Sequence, residues 1–211
     1  MEGEKAKVLD LFCGMGGWSI PFIEDGDEVW GVDIKDYGYP GKLIKADIRE
    51  LDGYGFWDMD LIIGSPPCNE FSLAKWMFSF NGYRPKPDIE KGLILVKDFY
   101  RFIREAQPKF WAMENVSRLE QWWKQPPIWR FTISLAGKRT LWGNFPIPLS
   151  PEYRFRRRFA ITKPMREKKD AKIVKRSQDR AMIPYPIARF VADTVSSLHT
   201  QLKDASTLEK P

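Results

Sequence analysis

Short apolar runs, separated by polar or glycine-rich turns, dominate the first half of the chain. Residues 7–12 (KVLDLF) form one such run, which stops at Gly14, Gly16 and Gly17. The pattern predicts a strand that enters a tight turn, with a helix over 18–24 behind it. Further strands are predicted over 28–33 (EVWGVD), 43–48 (LIKADI) and 59–64 (MDLIIG), the last ended by Pro66 and Pro67. Over 89–105 the period changes. Leu93, Val96, Tyr100 and Ile103 recur every three or four residues, as on one face of a helix. Residues 110–113 then read as a fifth strand. Strands alternating with helices imply an α/β domain on a mainly parallel sheet.

Beyond Asn115 the pattern loosens. Residues 120–150, rich in Trp and Pro, read as loops with short strands; 158–162 read as a strand and 166–180 as a charged loop. A closing amphipathic helix within 185–203 carries Ile187, Phe190, Val191, Thr194, Val195 and Leu198 on one side.

Composition narrows the chemistry. With 211 residues, 43% of them hydrophobic, the chain can bury one full core. The start, MEGEKAKVLDLF, has no signal-peptide pattern, and no apolar run would span a bilayer. The expected location is cytoplasmic. Cys13 and Cys68 lie in different motifs; two cysteines do not make a zinc site, and a cytoplasmic disulfide is disfavoured. With one histidine, His199, a His-based triad or a multi-His metal site is excluded. No metal is expected, and the chemistry falls to Cys, carboxylates, Arg or a bound cofactor. The net charge of +6 is uneven: residues 151–190 hold 13 Lys/Arg against 4 Asp/Glu. Such a basic segment on a mildly acidic body suits a polyanion such as nucleic acid, or is a solvated tail.

Three motifs lie at predicted strand ends. In VLDLFCGMGGWS (8–19) a strand runs into a glycine turn that opens a helix, where a ligand can approach backbone closely. Asp33 and Asp47 end the next two strands, where a nucleoside's ribose and base would lie. In GSPPCNEFS (64–72) a buried strand delivers Cys68 into a polar loop, a place for a nucleophile if cationic groups favour its thiolate. In FWAMENV (110–116) Glu114 and Asn115 end a strand, and Glu114 suits a general acid or a partner for a heterocycle. Each has a plain alternative: a structural turn, a helix cap, a small buried cysteine.

DLFCGMGG, PPCNEFS and ENV, in this order, resemble the cofactor, nucleophile and glutamate motifs of the cytosine-5 DNA methyltransferase family, whose tRNA-methylating branch shares them. The resemblance implies a Rossmann-like, S-adenosylmethionine-dependent methyltransferase fold, with helices on both faces of the sheet and a single catalytic domain over 1–211. It implies methylation of cytosine carbon 5 in DNA through a covalent cysteine intermediate, as in restriction-modification systems, with RNA as an alternative substrate. Cys68 would attack carbon 6, and Glu114 would engage ring nitrogen 3 and the exocyclic amine. Arg156 and Arg158, in YRFRRRFAI, match the family's arginine pair next to a strand. Phe12, Gly14, Gly16, Asp33, Asp47 and Ile48 match its cofactor contacts, with Asp10, Gly17, Trp18, Ile34 and Pro67 beside them. Residues 73–88 match its mobile loop. Nucleic acid would be held by Asn115, Arg154, Arg157, Lys168, Lys169, Lys172, Lys175 and Arg176.

The chain also departs from that pattern. Arg154 stands where the family usually has Gln, and Arg180–Ala181 where its last motif has Gly-Asn. Between those segments the family places a full target-recognition domain; here only the short basic stretch 163–179 is present. A partner chain for specificity, or a weak intrinsic specificity, is therefore expected. Trp122, Trp123 and Trp129 form a rival base-stacking surface, or are core. A rival of another class is a non-catalytic nucleic-acid-binding module.

Overall fold

The computed structural model describes residues 5–80, 82, 85–133, 137–145 and 183–208, without the side chains of 131–133 and 199–208. The elements run β1 (Lys7–Leu11), α1 (Ile20–Glu24), β2 (Glu28–Asp33), β3 (Lys42–Lys45), β4 (Leu61–Gly64), α2 (Leu73–Phe80), α3 (Ile89–Ala106), β5 (Phe110–Val116), β6 (Pro127–Ile133), β7 (Gly137–Gly143) and α4 (Tyr185–Leu208). Short 3-10 turns occupy Gly53–Phe56 and Ser117–Gln121.

The seven strands form one sheet in the order β3-β2-β1-β4-β5-β7-β6. Pairings are parallel from β3 through β5, and β7 runs antiparallel to both β5 and β6. The order reverses between β1 and β4, so their carboxyl ends diverge into a crevice, the usual ligand site of such sheets.

Alternate residues of each strand feed two cores. Val8, Leu61, Ile63, Ala112 and Leu141 pack with Trp18, Phe22 and the α4 residues Ile187, Phe190, Val191 and Val195. Leu9, Leu11, Ile62, Met113 and Trp142 pack with the α3 residues Val96, Phe99, Phe102 and Ile103 on the opposite face. Full burial of a side chain such as Phe99 or Phe102 contributes about 1.5–3 kcal/mol. Because both faces are covered, β4 is buried at all four positions and reads as an unbroken apolar run. Helix α3 starts at Asp88, which accepts the N–H of Lys91 at 3.0 Å, and ends at Gln107 in the left-handed region, φ 48°. Arg189 binds α4 to α1 through Asp25 and the Pro21 carbonyl.

Several predicted boundaries shift. The third strand stops at Lys45, because Asp47 turns the chain: its Oδ1 accepts the N–H of Arg49 at 3.0 Å. The fifth extends to Val116 because β7 pairs with it from Ala112 to Val116. The loops expected over 120–150 contain the β6–β7 hairpin. Trp122 and Trp123 pack against the α3-side core, and Trp129 against Phe190 at 5.3 Å between centroids. They belong to the core rather than to a base-stacking surface. The expected strand at 158–162, loop at 166–180 and basic stretch 163–179 lie outside the described residues. No described helix is long and apolar enough to cross a membrane.

Candidate active site

Every motif singled out in the first half of the sequence reaches the carboxyl edge of the sheet. After β1 the backbone turns through Phe12 (φ 60°), Gly14 (φ 51°) and Gly16 (φ 81°). Left-handed backbone suits glycine at the last two and is strained at Phe12. A Cβ on Gly14 would meet no atom within 4 Å, so the turn presents bare backbone to open space. Asp33, at the end of β2, holds the turn: its Oδ2 accepts the N–H of Gly14 at 3.0 Å and its Oδ1 that of Lys35 at 3.2 Å.

Asp10 lies beneath the turn, buried. Its Oδ2 accepts a hydrogen bond from Ser19 Oγ at 2.7 Å, and its Oδ1 has no partner. Burial, against the relief given by Ser19, raises its pKa to about 7. The Trp18 indole donates to Ser65 Oγ at 3.0 Å and so joins the turn to the loop after β4.

A cavity of about 690 Å³ spans the strand ends. Phe12, Gly14, Gly17, Trp18, Asp33, Ile34, Asp47, Ile48 and Pro67 line it on the turn side, and Cys68, Glu114 and Arg139 are also in its wall. Asp10 and Gly16 stand behind the wall. Arg101 of α3 fixes the third-strand edge by donating to the Ile48 carbonyl at 2.7 Å. Asp47 is held by Arg49, at 3.0 Å from Nε to Oδ1, and this pairing lowers its pKa to about 2.

Cys68, Glu114 and Arg139 meet in another part of the wall. Glu114 is buried in β5 and Arg139 in β7. The antiparallel register sets Glu114 opposite Leu141 and Val116 opposite Arg139, so the acid and the guanidinium share one face of the sheet. Arg139 Nε is 3.5 Å from Glu114 Oε1, and its Nη1 donates to Cys68 Sγ at 3.9 Å. Neither Nε nor Oε1 makes a hydrogen bond. The ion pair is therefore long, and it leaves a buried donor and a buried acceptor unused beside the cysteine. Burial raises the pKa of both Cys68 and Glu114. Arg139 opposes the rise in each, and Glu114 adds to it at Cys68.

One expectation is corrected. Asn115 does not face outward as a nucleic-acid contact. It is buried, its Nδ2 donates to the Pro66 carbonyl at 2.8 Å and its Oδ1 accepts the N–H of Val116. It anchors the proline-rich loop that carries Cys68. The guanidinium described beside the cysteine is that of Arg139, which sequence analysis does not single out, because RTLWG over 139–143 shows no polar–apolar alternation to mark it. Arg156 and Arg158, with Arg154, Arg157, Lys168, Lys169, Lys172, Lys175 and Arg176, lie outside the described residues. Among the described residues, no cluster of His, Cys, Asp or Glu could hold a metal.

The family model for C-5 cytosine-specific DNA methylase matches residues 6–126, more than half of the chain. The chain is 45% identical over 135 residues to the Type II methyltransferase M.AquIA of Picosynechococcus sp., covering 56% of this chain and 51% of that protein. It is 34% identical over 122 residues to the Type II methyltransferase M.DdeI of Desulfomicrobium norvegicum, covering 52% of this chain and 27% of the relative. A crystal structure of a putative DNA modification methyltransferase encoded within a prophage (E. coli) aligns with TM-score 0.48 and 22% identity, covering 66% of this chain and 46% of that one. The chain thus spans about half or less of these proteins. With the glycine turn, the proline-anchored cysteine and the buried glutamate all at one sheet edge, the chain belongs to the C-5 cytosine-specific DNA methylase family.

Proposed function

We propose that the chain methylates carbon 5 of cytosine in DNA, with S-adenosylmethionine as the methyl donor. The observation that carries this reading is the single cavity wall shared by a glycine turn, two strand-end carboxylates, a cysteine and a buried Glu–Arg pair. The cofactor fits the turn side. Gly14 offers bare backbone, Asp33 is placed for ribose hydroxyls, and Asp47 with Ile48 for an adenine. When bound, the cofactor supplies an electrophilic methyl group.

The chain's own residues do the rest. Cys68 Sγ adds to carbon 6 of the cytosine, and electron density moves into the ring. Glu114, whose burial favours its protonated form, donates to ring nitrogen 3 and offsets that density. Arg139 stabilises the Cys68 thiolate before attack and again as it departs, and can donate to the ring's carbonyl from its unused Nε. After carbon 5 is methylated, its proton passes to solvent water, the carbon 6–sulfur bond breaks, and Cys68 leaves as a thiolate as aromaticity is restored. In duplex DNA the target carbon lies within the stack, so the base must be flipped out to reach this cavity. The basic segment 151–190 contacts backbone phosphates, with binding that weakens as salt rises. A partner chain supplies the site specificity for which 163–179 is too short.

The test supplies methyl-labelled cofactor with duplex DNA or tRNA and measures label in each. The expected result is label in DNA at carbon 5 of cytosine. Label in RNA alone transfers the same chemistry to the other substrate. Salt-sensitive binding without transfer to either leaves a non-catalytic binding module.

A further inference from the structure

The segment 71–87 leaves the nucleophile loop and returns to the start of α3, and one carboxylate joins its two ends. Glu70 lies two residues after Cys68. Its Oε2 accepts the backbone N–H of Asp88 at 2.7 Å and also pairs with Lys75 Nζ. Asp88 is in turn the N-cap of α3. Behind the carboxylate α3 presses close: a Cβ on Gly92 would stand 2.7 Å from Glu70 Cβ and 2.8 Å from the Phe71 ring. Phe71 is fully buried, and its N–H donates to the Cys68 carbonyl at 3.0 Å. Asn115 fixes the other side of the same turn through Pro66. The turn that carries the cysteine is thereby tied to β5 at one end and to α3 at the other.

The helix that follows is built differently. No residue of α2 is buried, and Leu73, Met77 and Phe80, spaced four and three apart on one face, are exposed. It is held inward by Trp76, which stacks on Trp122 and lies 4.4 Å from the Arg118 guanidinium, and by the pair of Lys75 with Glu70. An element with so little burial sits at the low end of local stability. It is joined to the cysteine through the four residues 69–72, so its excursions would pass to Sγ unless the chain between were fixed. A displacement of about 1 Å at a reacting group can lower a rate by orders of magnitude.

We propose that Glu70 is a positioning residue that clamps the base of segment 71–87 to the N-terminus of α3 through the Asp88 amide, so that α2 can move, exchanging the Lys75 pair for solvent, without displacing Cys68. This rests on the reading of Cys68 as the nucleophile. Burial works against ionisation of Glu70, but Lys75 and the Asp88 amide outweigh it and lower its pKa, so the clamp holds through the neutral range.

Glu70→Ala and Glu70→Gln separate clamping from simple folding, because glutamine keeps an acceptor for the Asp88 amide. The readouts are exchange of the Asp88 amide hydrogen, cofactor affinity, melting temperature and the turnover number on DNA. Loss of one charge-assisted hydrogen bond at the clamp should lower turnover about tenfold in the alanine variant. Cofactor affinity should stay within about twofold, Asp88 exchange should quicken, and glutamine should restore most of the loss. Two results overturn the proposal: an alanine variant with wild-type turnover and exchange, or parallel loss of melting temperature, cofactor binding and turnover that glutamine does not repair. If the wild-type chain transfers no methyl group, the functional reading fails, and Asp88 exchange in the two variants still decides the clamp.

Discussion

Replacing Arg139 by methionine removes the buried guanidinium while keeping most of its apolar stem. In the wild type its Nη1 lies 3.9 Å from Cys68 Sγ and its Nε 3.5 Å from Glu114 Oε1. At an effective dielectric of about 20, a charge pair at the first distance is worth about 4 kcal/mol. Burial already holds the Cys68 pKa above its ordinary value, with Arg139 the main opposing influence. Without Arg139 the pKa climbs further, and about 4 kcal/mol corresponds to a roughly thousandfold smaller thiolate fraction at neutral pH. Burial already favours the protonated form of Glu114, and without Arg139 that preference grows, so no uncompensated buried carboxylate is left. The assay is the rate of covalent complex formation with 5-fluorocytosine DNA, measured from pH 6.5 to 9.5 beside cofactor binding by calorimetry. The expected result is a rate about a thousandfold lower at neutral pH, rising with pH as the thiolate forms, with cofactor affinity within about threefold. A variant within about tenfold of wild type, or one whose rate stays flat with pH, refutes the assignment. Arg156→Met and Arg158→Met, run in parallel, ask whether the arginines singled out by the motif share the role.

Two further outcomes follow from the turn. Asp33→Ala removes the carboxylate that holds the Gly14 amide, and should weaken cofactor binding by roughly 1.5–3 kcal/mol in calorimetry, the worth of charge-assisted hydrogen bonds. Unchanged affinity would remove Asp33 from the site. Asp10 has a pKa of about 7 when folded, against an ordinary 3.8. Its folded form therefore holds a proton that its unfolded form has lost, and between about pH 4 and 7 stability falls as pH rises. The full cost is present above pH 7, roughly 4 kcal/mol at most, and absent below pH 4. Asp10→Asn should flatten that slope in urea titrations, and an unaltered slope would show that Asp10 is not the titrating group.

Local sequence carried the nucleophile loop, the glycine turn and Glu114, because each stands where an apolar run meets turn residues. That signal needs no knowledge of distant chain. Arg139 reaches the cysteine only through the antiparallel pairing of β7 with β5, a contact between Val116 and Arg139 that no local pattern encodes. Asn115 misled for the opposite reason. Its position at a strand end is legible, but the Pro66 carbonyl that accepts its amide lies 49 residues away in sequence. Asp47 and Ile48 were read as strand, because alternation continues through them; the Asp47 side chain ends the strand by capping its own turn.

The central claim is that Cys68 forms a covalent bond to cytosine within this cavity. Its most direct test is mass spectrometry of the chain after incubation with 5-fluorocytosine DNA and S-adenosylmethionine, since fluorine at carbon 5 blocks the proton loss that would free the enzyme. The account expects a stable protein–DNA adduct located on the peptide containing Cys68, and none with Cys68→Ala. An adduct on another residue, turnover by Cys68→Ala, or methylation of ordinary cytosine by the wild type with no trapped adduct would contradict it.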